Sequence, residues 1–391
     1  MIAAPESAAR YAADLAAALP TRKAEYWRYN RLAALRDGGF QPAANDGAAI
    51  AVAAAEGPVL TFVDGFFRGD LSTAKIAGVT VARALPEVTA PVRGDGFGDL
   101  NRKWAAPVHL TIGPAADPTS VVRLRHITSA GGQASHPRLH ISVVAGAAIR
   151  LVEEYHGPAD AYFVNGMTTL DLATGARLEL YKHQGEGARA VHLTQTAAHL
   201  GAAAALTYFV LQTGAAVARN EVTVTLAGAA AVADLGGAYL ARGHQQLDNT
   251  VLVDHAVADC RSAQIFRGVL DDQAHGIFQG KIAVRRDAQR SAGEQLSRAL
   301  LLSRRAEVST KPELEILADD VQCSHGATIG ELDESQIFYL RARGIPLAMA
   351  RALLINAFVT ETLETIDVPA VRDAFGAVVG DWLATAEGAA A

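Results

Sequence analysis

A Gly-Ala step followed by a short β-rich run recurs through the middle of the chain, and this repetition constrains the fold more than any other feature. The steps begin at Gly146, Gly175, Gly201, Gly214 and Gly228, at spacings of 29, 26, 13 and 14 residues. Many short strands with small residues at the corners, and no helical period, are typical of stacked β-arcs. Because hairpin dipeptides such as Asn-Gly are scarce here, we favour a right-handed parallel β-helix over a β-sandwich. We expect this core to occupy residues 131–330.

Alternation within these runs predicts strands with one buried face. Val222, Val224 and Leu226 point one way, and the threonines between them point the other. The segment Ala190–Ala218 has no Asp, Glu, Lys or Arg and is long enough to cross a bilayer. Because it also contains histidines, glutamines and several threonines, we interpret it as buried strands.

Residues 1–130 are expected to mix helix and short strand. An Ala-rich run interrupted by charged residues predicts an amphipathic helix over Met1–Leu19 rather than a signal peptide. Further on, Val59–Val63 reads as a strand, Asp64-Gly65 as a turn and Phe66-Phe67 as a return strand.

Residues 331–391 switch to a helical period. Asp333, with Gln336 three residues later, is a capping-box signature, and Gly344 suits the left-handed position that ends a helix. The helix between them carries a cluster of two aromatic and two Arg residues, a combination enriched in interface hot spots. That candidate partner-binding cluster consists of Phe338, Tyr339, Arg341 and Arg343.

A second helix is predicted after Pro346, which makes a helical hairpin that runs from 333 to about 364. Its apolar stripe should anchor the hairpin to the β body while the other face stays free. The stripe consists of Leu347, Ala350, Leu354 and Phe358. A short final helix is expected near Val371–Leu383.

Composition excludes several classes of protein. The 391 residues carry a net charge of −6, so no basic field is available to hold a nucleic-acid backbone. Two cysteines exclude a disulfide-stapled secreted fold and a self-contained four-Cys metal site. The sequence has neither a phosphate-binding Gly-rich loop with its Lys nor a Gly-x-Ser-x-Gly elbow. We expect a soluble cytoplasmic protein that is not an enzyme.

Cys323 and His325 are the residues most suggestive of chemistry. If the chain is extended from Val321 onward, both lie on one face about 7 Å apart. A thiolate and an imidazole on one face can bind a soft or borderline metal, although a buried Cys beside a hydrogen-bonded His at a corner would look the same in sequence. Cys260, next to Arg261, is either a somewhat activated thiol or a quiet core residue.

The same part of the chain resembles the SufB/SufD family of iron–sulfur assembly scaffolds. The motifs are specific and cover most of residues 240–365. They are Phe266-Arg-Gly-Val-Leu270, Gly280-Lys-Ile-Ala-Val284, Leu300-Leu-Leu-Ser303, Lys311-Pro-Glu-Leu-Glu-Ile316, Ala318-Asp-Asp-Val321, Cys323-Ser-His-Gly-Ala-Thr-Ile-Gly330 and Ile337-Phe-Tyr-Leu-Arg-Ala-Arg-Gly-Ile345. Pro20-Thr-Arg-Lys-Ala-Glu-Tyr-Trp-Arg-Tyr29, the modest length and the low Cys count are most similar to the SufD branch. Asp287-Ala-Gln-Arg-Ser291 departs mildly from the Ala-Gln-Lys-Thr of many relatives.

The resemblance implies a parallel β-helix core with helical ends. It further implies a complex with a SufB-like paralogue through the β-helix and with the SufC-like ABC ATPase through the C-terminal helices, where the aromatic and Arg cluster lies. His325 matches a histidine at the site of nascent cluster assembly, and Cys323 matches a neighbouring family Cys. The cluster would be transient and shared with the partner, with no tightly bound cofactor in the isolated chain.

Other interpretations remain open from the residues alone. The chain could be a SufB-like paralogue or a self-associating scaffold, because an edge that pairs with a paralogue can pair with a copy of itself. A β-helix carbohydrate-active enzyme is a further alternative. It would favour a secretory signal and clustered charged catalytic residues on successive strands, and the sequence contains neither.

Overall fold

The computed structural model describes residues 5–21, 23–44, 50, 56–85 and 96–388. Residues 1–4 of the predicted first helix lie outside this part of the chain. The helices are α1 Pro5–Ala18, α2 Ala33–Asp37, α3 Gly96–Trp104, α4 Glu334–Ala342, α5 Leu347–Leu363 and α6 Pro369–Gly388, and short 3₁₀ turns form at Glu25–Trp27 and Gly69–Leu71.

The described strands fall into a short N-terminal set and a long regular series. The first set is β1 Gln41–Pro42, β2 Val59–Val63, β3 Phe66–Phe67, β4 Val79–Ala82, β5 Pro107–Ile112, β6 Val121–Ile127, β7 Gln133–Ser135 and β8 Arg138–Val143. The series continues with β9 Ala148–His156, β10 Phe163–Leu172, β11 Arg177–Gln184, β12 Val191–Leu200, β13 Ala205–Gln212, β14 Val217–Leu226, β15 Val232–Ala241, β16 Gln246–His255, β17 Arg261–Leu270, β18 His275–Val284, β19 Ser291–Leu301, β20 Glu307–Ile316 and β21 Val321–Gly330.

Consecutive strands alternate between two parallel sheets, so the chain winds as a β-solenoid. Sheet A runs β4-β5-β8-β10-β12-β14-β16-β18-β20, with β1 and β7 at its side, and sheet B runs β3-β2-β6-β9-β11-β13-β15-β17-β19-β21. Each strand from β8 to β19 pairs in parallel with the strand two later in the chain. The predicted parallel β-helix is confirmed, and β5 and β6, which precede residue 131, already belong to the two sheets.

Register explains the uneven spacing of the Gly-Ala steps. Val191 pairs with Val217 and His275 pairs with Glu307, so successive turns differ by 26 to 32 residues. Gly175, Gly201 and Gly228 precede strands of sheet B, one turn apart, whereas Gly214 precedes β14 of sheet A. The spacings of 13 and 14 residues are therefore half-turns, and the repeat unit is a pair of strands.

The core lies between the two sheets and is built by the predicted alternation. Val222, Val224 and Leu226 of β14 are buried, while Thr223 and Thr225 are half-buried on the other face. Ala190–Ala218 forms β12, β13 and the start of β14, as the sequence indicates. No helix in the described ranges is both long and apolar enough to span a membrane.

The outer face of each sheet is covered by a terminal region. Against sheet A, Tyr11 of α1 and Phe97 of α3 pack with Phe163 and other strand residues. Against sheet B, α5 and α6 supply a second apolar layer that meets strand residues such as Phe209. Covering both faces lets the solenoid strands be apolar on both sides.

The sequence signals for a turn and for two helix ends in the terminal regions agree with the structure. β2 and β3 form the predicted antiparallel hairpin, and both turn residues, Asp64 and Gly65, have positive φ, as a type I′ turn requires. The side chain of Asp333 accepts a hydrogen bond from the backbone of Ser335 at the start of α4. Gly344 has a φ of 85° directly after that helix, in the left-handed conformation expected at its end.

Two sequence predictions at the C-terminal end need correction. Leu314, Ile316 and Ala318 alternate in the sequence with Glu313, Glu315 and Leu317, which predicts a strand with one buried face. In the structure, Ile316 ends β20 and is 40% exposed, because no strand of the described chain stacks beyond β20 in sheet A. The α5 stripe is also rotated from the predicted one: Leu347 is exposed and Leu354 is only half-buried. The buried face of α5 instead consists of Ala350, Ile355, Val359, Thr362 and Leu363.

Candidate functional site

The candidate metal-binding pair lies on β21, the last described strand of sheet B. In register, Cys323 is opposite Gly293 and His325 is opposite Gln295, both on β19. Residues in register on parallel neighbours point to the same face of the sheet. Gln295 is 1% exposed and packs across the interior against Gly280 of β18, so Cys323 and His325 share the inward face at the end of the solenoid. They lie within the strand rather than at a corner.

Cys323 is half-buried in a small apolar cluster that closes the last turn. Its neighbours in the cluster are Ile282, Val284, Ala288 and Ala318. Burial raises the pKa of the Cys323 thiol above its ordinary value, and a hydrogen bond with the Gly293 backbone acts in the opposite direction. Cys323 is therefore a neutral thiol near pH 7 in the isolated chain and needs a positive charge nearby to become a thiolate ligand.

Glycine at position 293 leaves room for the apolar cluster beside that sulfur. A Cβ at Gly293 would lie 3.2 Å from two carbons of Ile282 and 3.5 Å from Cys323 Sγ. The contacts with Ile282 are tight, whereas the distance to the sulfur is that of ordinary van der Waals contact, so a side chain here would press mainly on the apolar cluster. The close approach of backbone and sulfur also provides the hydrogen bond that opposes the rise in the thiol pKa.

His325 has a different environment, because its side chain is exposed at the open end of the solenoid. Beneath it, Gln295 and Gln264 form a hydrogen-bonded pair of buried amides, with Gln295 Nε2 donating to Gln264 Oε1 at 3.1 Å. A neutral imidazole can coordinate a metal ion through either ring nitrogen. His325 is accordingly accessible to a metal ion from the open end of the solenoid.

This pair does not make a complete metal site. Among the residues that the structure describes, no group of three or more His, Cys, Asp or Glu side chains could hold a metal ion. Iron–sulfur clusters are usually held by four ligands, most of them thiolates. One thiol and one imidazole can therefore contribute to such a cluster only if further donors come from elsewhere.

A groove of about 400 Å³ runs beside Cys323 on the outer side of sheet B. Its charged lining residues are Asp234, Arg261 and Glu294, with Gln322 and Ser324 of β21 beside them. Burial is the main cause that raises the pKa of Asp234; the charge of Asp367 adds to the rise, and that of Arg261 opposes it. A polar groove thus lies on the outer face of sheet B, behind the strand that carries the thiol.

Cys260 lies in the main hydrophobic core, apart from the cluster around Cys323. It is fully buried, and its Sγ lies 3.4 Å from the backbone oxygen of Gly228. Burial raises the pKa of its thiol. Cys260 is therefore an unreactive core residue, and the alternative of an activated thiol next to Arg261 is wrong.

The predicted partner-binding cluster is exposed on α4 and the turn that follows it. Phe338 is 73% exposed and Tyr339 is 56% exposed, and the Arg343 guanidinium lies 3.5 Å from the centre of the Tyr339 ring. Arg341 is exposed on the same helix. The only buried residue of α4 is Ile337.

On α5, three more large apolar side chains face solvent, namely Leu347, Met349 and Leu353. Together with Phe338 and Tyr339 of α4, they are five large apolar side chains on the hairpin that the described part of the chain leaves exposed. Such surfaces are typical of protein interaction sites.

Sequence reasoning missed the residues that support the pair from the previous turn. Gly293 and Gln295 have the same two-residue spacing as Cys323 and His325, and register places them directly beneath. The available signal was the turn length of 26 to 32 residues, which aligns Ser291-Ala-Gly-Glu-Gln295 with Val321-Gln-Cys-Ser-His325. The Gly-Ala steps alone do not extend that far, because the last of those five lies at Gly228.

Comparison with known proteins gives a consistent result. Residues 126–358 match the family described as "SUF system FeS cluster assembly, SufBD core domain". The iron–sulfur cluster assembly protein SufD of Escherichia coli is 30% identical, over 89% of this chain and 85% of that protein. An iron–sulfur cluster assembly SufBD family protein of Synechocystis is 28% identical, over 92% and 87% respectively. The chloroplastic protein ABCI7 of Arabidopsis thaliana is 33% identical, over 61% and 51%.

Proposed function

This chain belongs to the SufBD family of the SUF system for iron–sulfur cluster assembly, and from that premise we propose that it is a SufD-like scaffold subunit of a SufBCD-type complex. The coarse role, iron–sulfur cluster assembly, follows from the family. The finer assignment is that His325, with Cys323 beside it, contributes to holding a nascent cluster at the open end of the solenoid.

The observation that carries this proposal is the position of the pair on a terminal strand. Among the described strands, β21 has a neighbour on one side only, and its inward face presents a half-buried thiol and an exposed imidazole. An incomplete donor set at an uncovered sheet end favours a cluster that forms between two chains. Such a shared cluster is also easy to release, which suits a scaffold that hands its product on.

A SufB-like paralogue is the proposed partner at this end. Ile316, Leu317 and Ile329 are exposed around the last strands, and unpaired backbone groups at a sheet edge are a template for another strand. The paralogue would supply the remaining ligands, and its positive charges or the incoming iron would favour the Cys323 thiolate. In this proposal the chain itself catalyses no reaction, and a homodimer through the same edge is an alternative state of the isolated chain.

A SufC-like ABC ATPase is the proposed partner of the α4–α5 hairpin. The exposed aromatic and Arg cluster has the composition of an interface hot spot. α4 begins at Glu334, within ten residues of His325, so a movement of the hairpin has a short covalent path to the cluster site. ATP-driven movement would therefore reach β21 directly.

The direct test replaces His325 with Ala in the complex. We expect the cluster yield of the anaerobically purified complex to fall by about tenfold, because a ligand is lost. Folding should be unaffected, since replacement of an exposed residue usually changes stability by no more than about 0.5 kcal/mol. Absorption spectroscopy together with iron and sulfide analysis measures the yield.

His244→Ala is the matched control, because His244 is also an exposed histidine but lies at the corner between β15 and β16. Its replacement should leave the cluster yield unchanged. Equal yields from the His325→Ala and wild-type complexes would contradict the proposed role of His325.

A further inference from the structure

One column of side chains inside the solenoid changes character as it approaches His325. One in-register column on sheet B consists of Leu151, Leu180, Tyr208, Leu235, Gln264, Gln295 and His325. Every member before His325 is buried, but the column is apolar or aromatic up to Leu235 and polar from Gln264 onward. Buried amides in a solenoid core need hydrogen-bond partners, so two in succession directly beneath a candidate ligand call for a physical reason.

The orientation of both amides is determined by a backbone carbonyl. Gln264 Nε2 donates to the oxygen of Lys281 at 3.3 Å, and a carbonyl oxygen can only accept. Gln264 therefore presents Oε1 to the next turn, where Gln295 Nε2 donates to it at 3.1 Å. Turning either amide over would bring two acceptors or two donors together.

Gln295 is also held in place by packing. Gly280, on the opposite wall in β18, has no side chain at this level, and a Cβ there would collide with Gln295 Nε2. The amide thus fills the space above a glycine and is 1% exposed. Rigid packing and one hydrogen bond leave its other atom, Oε1, at a defined position.

Gln295 Oε1 is buried and has no hydrogen-bond partner among the residues that the structure describes. His325 is the next member of the column, on a strand about 4.8 Å away, and is itself exposed and able to turn inward. A neutral imidazole has one N–H donor and one nitrogen with a free lone pair. We propose that Gln295 is a positioning residue: its Oε1 accepts the ring N–H of His325 and directs the other ring nitrogen toward the metal.

This inference rests on the proposed function of His325. It also explains why two buried amides, Gln264 and Gln295, lie beneath that residue. A hydrogen bond to one ring nitrogen selects the tautomer and orients the ring, as outer partners of metal-binding histidines commonly do. The Lys281 carbonyl, Gln264 and Gln295 then form one chain of hydrogen bonds that ends at His325. Covering the end of the solenoid with a partner would exclude water and favour the inward-turned ring.

The tautomer of His325 is the quantity to measure, because a purely structural role of Gln295 would leave it unchanged. In the full-length chain with ¹⁵N-labelled histidine, at a pH where the ring is neutral, we expect one tautomer of His325 to dominate. In Gln295→Leu, the ¹⁵N shifts should move toward those of the exposed His244 in the same protein. In the partner complex, the cluster yield of this variant should fall by about tenfold.

Two further variants separate positioning from stability. In Gln295→Glu, burial favours the protonated carboxyl group, which can donate to Gln264 Oε1 and still accept from His325, so this variant should retain the tautomer and most of the yield. Gln212→Leu removes a buried amide that accepts from Asn249 Nδ2 in another column. It should leave both the His325 tautomer and the cluster yield as in the wild type.

The outcomes distinguish the two proposals. An identical His325 tautomer in the wild type and Gln295→Leu would overturn the positioning role, whatever happens to the yield. A shifted tautomer with an unchanged cluster yield would also overturn it, because the bond would then not serve cluster assembly. If His325→Ala has a normal yield, the proposed function fails, while the tautomer measurement still reports whether Gln295 binds His325.

Discussion

Cys323 and His325 differ in what each needs before it can bind iron. Burial raises the pKa of the Cys323 thiol, so the thiolate is scarce near neutral pH in the isolated chain. His325 is exposed, and a neutral imidazole needs no deprotonation to coordinate. In the proposed complex, His325 can therefore bind first, and the charge of the bound iron then lowers the pKa of the neighbouring thiol.

Alkylation of the two cysteines should show this difference in protonation and burial. Only the thiolate reacts with iodoacetamide, so the labelling rate of Cys323 should rise about tenfold per pH unit while the pH lies below the thiol pKa. Because burial raises that pKa above its ordinary value, the rise should continue past pH 9. Peptide mass spectrometry of the folded chain measures the rate.

Cys260 is the internal control, because it is fully buried and should be labelled only after denaturation. A Cys323 rate that levels off below pH 8 would mean that the thiol is activated in the isolated chain, contrary to the environment described for it.

At the scale of the element, the α4–α5 hairpin is attached through one face only. Ile337 of α4 and the buried residues of α5 face the body, and the Arg267 guanidinium lies 4.9 Å from the centre of the Phe358 ring. Arg267 Nη1 also donates to the Phe358 backbone oxygen at 2.9 Å. Attachment thus depends on residues other than the exposed cluster, which leaves Tyr339 and Arg343 free to bind a partner.

Combining Tyr339→Ala with Arg343→Glu should weaken capture of the SufC-like ATPase by about tenfold or more, since aromatic and Arg residues dominate interface energies. The melting temperature of the isolated chain should change little, because both side chains are exposed. Pull-down with the purified ATPase and a thermal melt test the two halves of this prediction.

Ile329→Lys serves as the control, because it also changes charge at an exposed position but lies on β21. It should leave ATPase capture intact. If the double variant lowers the melting temperature together with capture, the hairpin cluster contributes to the core, and the docking surface must lie elsewhere.

The sequence predicts elements better than it predicts contacts between turns. Alternation in β14 and the signals at Asp64-Gly65, Asp333 and Gly344 depend on neighbouring residues, and the structure confirms all of them. The exposure of Ile316 depends on the absence of a further strand, which local pattern does not contain.

Two further features of the structure also depend on three-dimensional packing. The buried stripe of α5 depends on how the helix rotates against sheet B, so the predicted stripe includes Leu347, which is exposed, and Leu354, which is only half-buried. The alignment of Gln295 beneath His325 requires the exact number of residues per turn, and that number varies along the solenoid. The sequence motif therefore identifies the candidate ligands, whereas only the strand register identifies the residues that support them.

At the scale of the whole molecule, the two ends of the solenoid are built differently. At one end, the described strands finish with β3 and β4, which are short and pair antiparallel with β2 and β5. Short, irregular edges discourage further strand pairing. At the other end, β20 and β21 are each ten residues long, and neither has a neighbour beyond it in the described chain.

The described part of the N-terminal region contacts the open end of the solenoid without covering it. Lys311 of β20 forms an ion pair with Glu25 at 2.7 Å, and Gln279 of β18 donates to the Tyr26 backbone oxygen at 3.3 Å. These contacts lie on the outer side of sheet A. The edges of β20 and β21 therefore remain accessible, and they lie next to the candidate cluster site.

Placing charge at this end should block pairing with the SufB-like paralogue. Leu317 is 58% exposed and Ile329 is 44% exposed, so Leu317→Lys with Ile329→Lys should hardly alter folding. If another chain extends the sheets here, two buried lysines at the new interface would weaken the heterodimer by about tenfold or more, because buried unpaired charge is costly. Size-exclusion chromatography with light scattering at micromolar concentration measures the association.

Leu353→Lys is the reciprocal control, because Leu353 is 47% exposed on α5, away from the sheet edge. It should reduce ATPase capture and leave the heterodimer intact, whereas the edge variant should do the reverse. That crossed pattern assigns one partner to each surface, since a general loss of folding would reduce both interactions together. A heterodimer that survives both edge lysines but is lost in Leu353→Lys would move the paralogue interface to the helical hairpin and separate it from His325.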